Sequence, residues 1–222
     1  MSNNKPTQIV TPKGEAIYPW ISKPDTQFDE DGVFKTALRV DAEEAQALIE
    51  KIEAEVDPFY NETVEELKGK KQNKKARELE KYVPYEHEED DDGNQTGYVI
   101  IKAKQNAWIY PKNSDPVYMQ PNVFDAKKNP IKKVPAVGNG SVLKIAVQLI
   151  PFYNASAKTA GITARLKAVQ VIELNHSGPS ADNYGFDSEE DGFDAEDVPD
   201  EPGSQDDDEP GSDDDGEDDG DF

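Results

Sequence analysis

The last forty-six residues of this chain, Ser177–Phe222, cannot contribute to a folded core. They contain 21 Asp and Glu and no Lys or Arg, and Gly, Ser and Pro fill most of the other positions. Such a segment cannot bury enough apolar surface to offset the entropy lost on ordering, so it is predicted to be a disordered acidic tail. The predicted organisation is one folded domain, residues 1–176, followed by the tail, residues 177–222.

The charge of the chain is divided unevenly between these two parts. The chain has 24 Lys and Arg against 47 Asp and Glu, and the 26 acids outside the tail leave residues 1–176 with a net charge of only −2. Between Gly97 and Ile172, eleven basic residues stand against two acidic ones, a local net charge of +9. The simplest interpretation is that the basic region binds a polyanion and the tail imitates it.

A tethered tail competes effectively because its local concentration is on the order of millimolar. The alternative is that the tail only keeps the protein soluble. The terminal Phe222 favours binding, since a partner with a basic rim and an apolar pocket has a use for one aromatic side chain at the end of the chain.

Length and composition set further bounds. The chain has 222 residues and no cysteine, so it has no disulfide and no thiolate metal site, which fits a reducing cytoplasm. The polar start, Met1–Gln8, and the lack of a long apolar run predict neither a signal peptide nor a membrane segment. These features predict a soluble protein with a single folded domain.

The first part of the folded region predicts strands. Ala16–Ile21 suits an edge strand, and within it Tyr18 and Trp20 are either core or stacking residues. Val33–Val40 alternates between apolar and polar residues and predicts a half-buried strand.

One helix is predicted after this strand. Asp41 resembles an N-cap, the apolar residues that follow have helical spacing, and Pro58 is a point where the helix kinks or restarts. The mixed charges of residues 68–81 predict a solvated helical face. The acidic run 87–94 resembles a calcium loop, but Val99 stands where that loop needs a Glu, so a polar hairpin tip is predicted.

The stretch Gly97–Tyr110 is the most informative strand of the folded region. One set of alternate residues is apolar except for Gln105, and the other set interleaves lysines with aromatic residues. Cations that meet phosphates and flat rings that stack on bases are the combination found in proteins that bind single-stranded nucleic acid. The alternative is that Trp108 and Tyr110 only cover an open end of a barrel.

The remaining strands lead to a fold prediction. A strand over Leu143–Ile150 ends in the aromatic pair Phe152 and Tyr153, a flexible connection follows, and a last strand, Ile162–Leu174, contains a bulge near Val169. The predicted fold is mainly β, an OB-like barrel of five to six antiparallel strands with one inserted helical segment.

Several of these segments resemble a known family, the replication single-stranded DNA-binding proteins of the T-odd short-tailed coliphages and their marine relatives. The resemblance spans nearly the whole chain in order. It is carried by Tyr18–Asp25, Gly32–Val40 with the following helix, Val134–Ser141, Leu149–Phe152, Val171–Leu174 and Gly220–Phe222.

The resemblance implies a function and partners. It implies an OB-fold homodimer that binds and anneals single-stranded DNA in phage replication, recombination and repair, in the cytoplasm of an infected bacterium. It also implies that the tail contacts the phage DNA polymerase and helicase-primase and competes with DNA for the binding face. No catalytic residue, metal, cofactor or membrane contact is implied.

Individual positions depart from the family pattern. Phe152 falls where the family has a stacking Tyr, and Lys104 replaces a family aromatic, so Trp108 or Tyr110 is expected to take over that role. Asp31 stands where the family has a basic residue. The predicted DNA-binding residues are Lys35, Arg39, Lys102, Lys104, Trp108, Tyr110, Lys112, Lys144, Phe152, Tyr153, Lys158 and Arg165, and the predicted partner contacts in the tail are Asp218, Asp219, Asp221 and Phe222.

Two other classes of protein are weaker interpretations. An acidic DNA mimic or chaperone that sequesters basic proteins would explain the tail but would leave the basic region without a role. An enzyme is disfavoured because the chain has two histidines, no phosphate-cradling motif, and carboxylates concentrated where they cannot be preorganised.

Overall fold

The structure, a computed structural model, describes residues 6–175. Residues 1–5 and 176–222 lie outside the described residues, and with them lie the predictions for the tail, including those for Asp218, Asp219, Asp221 and Phe222. Residues 6–175 form eleven strands and two helices, which are β1 (Gln8–Val10), β2 (Gly14–Asp25), β3 (Val33–Asp41), α1 (Ala42–Gly69), α2 (Asn73–Arg77), β4 (Glu80–Tyr82), β5 (Tyr85–Glu89), β6 (Gln95–Asn106), β7 (Trp108–Ile109), β8 (Val117–Tyr118), β9 (Asn122–Phe124), β10 (Val142–Asn154) and β11 (Thr159–Glu173).

Five of these strands close a barrel. Their order around it is β2, β3, β6, β11 and β10, and β10 returns to β2 where Leu143 pairs with Gly14. Neighbouring strands are antiparallel except β6 and β11, which meet in parallel at Lys104 and Arg165. This is the order of an OB-type barrel, so the predicted fold class is confirmed. The prediction that all barrel strands are antiparallel is wrong for the β6–β11 pair, which is parallel.

The other strands extend the barrel or lie beside it. β1 pairs with β10, β5 pairs with β6, and β4 and β9 run parallel to β11. β7 and β8 form a separate ribbon. The strand predicted over Gly97–Tyr110 is interrupted at Ala107, which lies between β6 and β7. The N–H of Ala107 donates to the carbonyl oxygen of Gly32, and its carbonyl oxygen accepts from the N–H of Met119.

Alternate residues of the barrel strands fill the interior. In each of β3, β6 and β10, one set of alternate residues is buried, and in β6 this set includes Gln105. Each large apolar side chain in such a position stabilises the fold by about 1.5–3 kcal/mol. The largest of the fully buried side chains include Phe34, Leu38, Ile101, Leu143, Ile145, Ile162 and Leu166. This burial fixes the opposite parity, which carries the lysines, on the outer surface.

The segment predicted as an edge strand is longer than expected and lies inside the barrel order. β2 pairs with β3 on one side and, at its start, with β10 on the other. Ile17 pairs with Ala37 and Trp20 pairs with Lys35, so β2 holds one more residue than β3 between these pairs. This is a β-bulge, and Tyr18 within it has a φ of 46°.

The long helix α1 covers one side of the barrel. Asp41 is its N-cap, because Oδ1 of this side chain accepts from the N–H groups of Glu43 and Glu44 at 2.9 and 3.2 Å. The predicted restart at Pro58 is wrong, because the helix is unbroken from Ala42 to Gly69 through this exposed proline, and the kink stays a prediction. Apolar residues on both sides of the proline are buried, with Leu67 beyond it and Ala45, Leu48, Ile52 and Val56 before it.

The backbones of β4 and β11 approach unusually closely at Gly161. β4 runs parallel to β11, with Tyr82 opposite Gly161. A Cβ atom placed on Gly161 would lie 1.9 Å from the carbonyl oxygen of Tyr82. Only glycine fits at this position, and the approach brings the Tyr82 ring to 5.5 Å from the Phe152 ring in an edge-to-face contact.

The β10–β11 hairpin has a tighter turn than the sequence indicated. β10 extends to Asn154, whose Oδ1 accepts from the N–H groups of Ser156 and Ala157 at 3.0 Å each. The bulge expected near Val169 is present at Lys167, and a second irregularity lies at Ile172. The acidic run after His87 forms the polar turn between β5 and β6, as predicted.

Among residues 6–175, no helix is long and apolar enough to cross a membrane. In the same part of the chain, no group of three or more His, Asp or Glu side chains is placed to hold a metal ion.

Candidate nucleic-acid interface

A groove runs over the outer face of β2, β3, β6 and β11. It consists of three adjoining cavities, which we call the central, Trp108 and Tyr18 compartments, with volumes of about 570, 390 and 350 Å3. The central and Trp108 compartments share Lys104 and Thr163 in their linings. The central and Tyr18 compartments share Tyr18 and Trp20. The three cavities therefore form one continuous depression across four barrel strands.

One row of paired residues crosses the groove from strand to strand. Trp20 of β2 pairs with Lys35 of β3, Lys35 pairs with Lys104 of β6, and Lys104 pairs with Arg165 of β11. Neighbouring strands lie about 4.8 Å apart, so the three cations and the indole ring form a compact band. The parallel seam between β6 and β11 is what brings Arg165 into this band.

The cations of the groove differ in their ion pairs. Lys35 Nζ lies 2.5 Å from the carboxylate of Asp25, which is nearly buried, and this hydrogen bond lowers the pKa of Asp25. Lys102 Nζ donates to Glu86 of β5 at 2.5 Å. Within residues 6–175, no carboxylate oxygen lies within 4.0 Å of the charged groups of Lys104 or Arg165. These two cations are available to an incoming anion without displacing a partner from this part of the chain.

Aromatic side chains line the same groove. Tyr18, Trp20 and Tyr82 border the central compartment, and Trp108 and Tyr110 border the Trp108 compartment. Tyr18 is 73% exposed and Tyr110 is 60% exposed, so both present ring faces to solvent. A channel with cations along its floor and exposed rings along its margin can bind a phosphate backbone and stack unpaired bases.

The ribbon of β7 and β8 holds the aromatic residues of the Trp108 compartment in place. The Trp108 ring lies 5.1 Å from that of Tyr118, which in turn contacts the buried Phe34 at 6.0 Å. The Tyr110 hydroxyl donates to Asp31 at 2.6 Å, and this bond raises the pKa of Tyr110. Asp31, which stands where the resemblance implied a basic residue, therefore orients an aromatic ring of the groove.

Six of the twelve predicted DNA-binding residues line this groove. They are Lys35, Lys102, Lys104, Trp108, Tyr110 and Arg165. Phe152 lies next to the groove, where it contacts Tyr82, and Tyr153 follows it on β10. Trp108 and Tyr110 both line the Trp108 compartment. The resemblance suggested that one of these two rings replaces the aromatic residue expected at Lys104.

The other predicted residues are placed elsewhere. Lys112 lies in the loop between β7 and β8, and Lys158 pairs with Glu78 at 2.9 Å. Lys144 lines a separate cavity of about 290 Å3 together with Val10. DNA contacts by these residues and by Phe152 and Tyr153 stay predictions.

Arg39 is held in a cluster next to the groove. Its Nε and Nη2 atoms donate to the two carboxylate oxygens of Glu88 at 2.8 and 3.0 Å, and its guanidinium lies 3.4 Å from the centre of the Tyr98 ring. The bidentate bond lowers the pKa of Glu88 and raises that of Arg39. This cluster ties β5 to the barrel, so its predicted contact with DNA would require Arg39 to leave an existing partner.

The Arg39–Glu88 pair predicts a pH dependence of stability. Because the folded-state pKa of Glu88 is lowered, the pair stabilises the fold above the unfolded-state pKa, about 4.3, and this contribution is lost as pH falls through the lower folded-state value. Glu88→Gln should therefore unfold more readily than the parent protein at neutral pH, and the difference should shrink toward about pH 3. Urea unfolding at a series of pH values measures it, and a difference that does not change with pH would contradict the assignment.

Sequence reasoning missed part of the groove. Tyr18 and Trp20 were left open between core and stacking, and neither Tyr82 nor Thr163 was singled out. Tyr82 lies in a three-residue strand that is too short to show alternation. Thr163 has the same parity as Arg165 on β11, so the outward pattern of that strand was a signal that could have found it.

The comparisons with known proteins cover the strands and the helix described above. The family described as single-stranded DNA-binding protein, bacteriophage T7, matches residues 13–174. The chain is 28% identical over 184 residues to the single-stranded DNA-binding protein of Enterobacteria phage T3 and 27% identical over 185 residues to that of Escherichia phage T7, and each alignment covers 79% of both chains.

A solved structure shows the same fold. It is the crystal structure of gp2.5, a single-stranded DNA-binding protein encoded by bacteriophage T7. The match has a TM-score of 0.66 at 26% identity and covers 86% of this chain and all of the other. The matched family region, residues 13–174, includes all three compartments of the groove.

Proposed function

This chain belongs to the bacteriophage T7 family of single-stranded DNA-binding proteins, and we propose that it binds single-stranded DNA along the groove on the outer face of its barrel. The family match confirms the resemblance predicted from the sequence. The relatives are named for binding rather than for a reaction, in agreement with the prediction that the chain is not an enzyme.

The observation that carries this proposal is the row of Trp20, Lys35, Lys104 and Arg165 across four strands. A single strand laid along the groove would place its phosphates near the cations, and each neutralised phosphate would release a counterion. The Trp108 and Tyr110 rings at one end can stack on unpaired bases, which contributes about 1–3 kcal/mol per base. Both interactions tolerate any base, so sequence preference should be slight.

Lys104 and Arg165 are the best placed residues to hold the phosphate backbone. Lys104 lines both the central and the Trp108 compartments, and Arg165 lines the Trp108 compartment. Within residues 6–175, neither has a carboxylate within ion-pair distance. Duplex DNA would bind less well, because its bases are stacked on one another and cannot use the exposed rings.

The acidic tail is proposed to regulate this groove. Its 21 acidic residues follow directly on the folded domain, and a polyanion tethered there would compete with DNA at a high local concentration. When DNA occupies the groove, the tail would be released. Its acids Asp218, Asp219 and Asp221 and the terminal Phe222 would then be available to basic, apolar pockets on the phage DNA polymerase and helicase-primase.

Further parts of the proposal follow from the family. The protein is proposed to act as a homodimer in the cytoplasm of an infected bacterium, where it coats and anneals single strands in replication, recombination and repair. Sedimentation of the full chain tests the dimer, and a mass that stays at 24.6 kDa at all concentrations would contradict it.

Removing Ser177–Phe222 should strengthen binding to single-stranded DNA. We expect a gain of about tenfold at low salt that shrinks as salt rises, because the competition is electrostatic and is screened. Oligonucleotide titrations of the full and shortened chains across a range of salt concentrations measure this. An equal or weaker affinity of the shortened chain would contradict the competition.

A tail of unchanged length in which Asn and Gln replace the acids is the matched control. It should bind DNA like the shortened chain, since charge and not length causes the competition. The shortened chain should also lose retention on immobilised phage polymerase and helicase-primase, and undiminished retention would contradict the partner proposal. If the chain were instead an acidic DNA mimic or chaperone that sequesters basic proteins, removing the tail would abolish that activity and would not strengthen DNA binding.

A further inference from the structure

The Tyr18 compartment lies at one end of the groove, beyond the band of cations. We propose that it is a terminal nucleobase subsite, in which the last base of the bound strand stacks on the Tyr18 ring beside Trp20. This inference rests on the proposed DNA-binding function and adds a defined end to the path of the strand. The volume of about 350 Å3 suits one nucleotide rather than a length of strand.

The β-bulge in β2 creates this subsite. In a regular strand, successive side chains point to opposite faces, so Ile17 and Tyr18 would lie on different sides of β2. The extra residue between the pairs Ile17–Ala37 and Trp20–Lys35 breaks that alternation. Ile17, Tyr18 and Trp20 all line the central compartment as a result, and Tyr18 and Trp20 also line the compartment at its end.

The backbone at Tyr18 is held in a costly conformation. A φ of 46° is in the left-handed region, which costs a residue with a side chain about 1–2 kcal/mol and which glycine adopts freely. The Tyr18 N–H donates to Oδ1 of Asn139 at 2.6 Å, and this bond fixes the bulge against the turn at Asn139 and Gly140. The result is a large apolar ring that is 73% exposed at a position where stability alone would favour glycine. Strain of this kind is typical of functional positions.

The surroundings of the ring suit a nucleotide. Lys23 lines the same compartment, and its Nζ lies 6.0 Å from the centre of the Trp20 ring, so a cation is present for the phosphate of the terminal nucleotide. Ser22 and Asn139 add polar groups to the lining, where the edge of a base can find hydrogen-bond partners. Ring, cation and polar edge match the three parts of a nucleotide that a single-strand binder contacts.

The variant Tyr18→Gly tests the subsite without risking the fold. It removes the ring and relieves the backbone, so its thermal stability should equal or exceed that of the parent protein. Its affinity for an oligonucleotide that spans the groove should fall roughly tenfold, the loss of one stacked base. Phe28→Gly is the control, since Phe28 is 86% exposed and does not line the groove, and it should bind like the parent protein.

An abasic nucleotide at one end of the oligonucleotide makes the test specific. With the abasic site at the end that reaches the compartment, the parent protein should lose about the same tenfold, and Tyr18→Gly should lose nothing further. Each end of the oligonucleotide is tested in turn, which also gives the direction of the strand.

The two tryptophans of the chain provide a second readout, because Trp20 lies at one end of the groove and Trp108 at the other. In a Trp108→Phe background, saturating DNA should quench Trp20 emission, and adding Tyr18→Gly should weaken that quenching. In a Trp20→Phe background, the same Tyr18→Gly change should leave the quenching of Trp108 in place. Equal affinities of parent and Tyr18→Gly, or no effect of an abasic site at either end, would overturn the subsite. Failure of the parent protein to bind at all would instead overturn the proposed function.

Discussion

The double variant Lys104→Ala/Arg165→Ala is expected to bind single-stranded DNA about 25-fold more weakly than the parent protein at 0.1 M salt. Each phosphate contact with a single strand contributes about 0.7 to the slope of log affinity against log salt. Losing two contacts should reduce the magnitude of this slope by about 1.4. Between 1 M and 0.1 M salt, which is one decade, that change lowers the affinity by about 1.4 log units, a factor of about 25. Both residues line the Trp108 compartment, and Lys104 also lines the central compartment.

Anisotropy titrations at four or five salt concentrations would measure both the affinity and the slope. The matched control is Lys70→Ala/Lys74→Ala, which removes the same number of charges from an exposed surface that does not line the groove. The control should keep the parent slope. An unchanged slope in the groove variant would mean that the backbone of the strand runs elsewhere.

Gly161→Ala is expected to lower the free energy of unfolding by about 1–3 kcal/mol, the usual cost of overpacking. The new Cβ would sit 1.9 Å from the carbonyl oxygen of Tyr82, and because the obstacle is backbone, β4 has to move away from β11. Tyr82 would then lose its contact with Phe152 and its place in the central compartment. Weaker DNA binding should therefore accompany the loss of stability.

Chemical unfolding and DNA titration of the same samples test this expectation. Gly69→Ala is the control, since a Cβ there meets nothing within 4 Å and the residue ends a helix. It should be as stable as the parent protein or slightly more stable. Parent-like stability of Gly161→Ala would show that β4 does not need its close approach to the barrel.

The barrel was largely predictable because its strands are long and half-buried. In β6, the alternation of buried Val99, Ile101 and Ala103 with exposed Lys102 and Lys104 is present in the sequence and in the structure. The N-cap at Asp41 and the helix after it were also local signals. Such features depend on near neighbours in the chain, and the chemistry of those neighbours is visible in the sequence.

The contacts that complete the groove depend on pairings between distant segments. The parallel seam that places Arg165 beside Lys104 joins residues far apart in the chain, and no local pattern encodes it. Glu86 precedes the run 87–94 and was not singled out in the sequence, yet it accepts a hydrogen bond from Lys102 on the neighbouring strand β6. Tyr18 reaches the groove only because of a bulge in β2, and a single inserted residue is hard to place from alternation alone.

The carboxylates that already neutralise part of the groove have a thermodynamic consequence. Asp25 forms an ion pair with Lys35, and Glu86 forms one with Lys102. A phosphate that binds either lysine therefore displaces a carboxylate of the protein, and that carboxylate then takes up a cation from solution. Such an exchange releases almost no net cations, so it contributes little to the slope of log affinity against log salt. The number of phosphate contacts read from the salt slope will therefore be smaller than the number of phosphates that touch the protein. Lys104 and Arg165, which have no carboxylate partner among residues 6–175, should contribute fully to that slope.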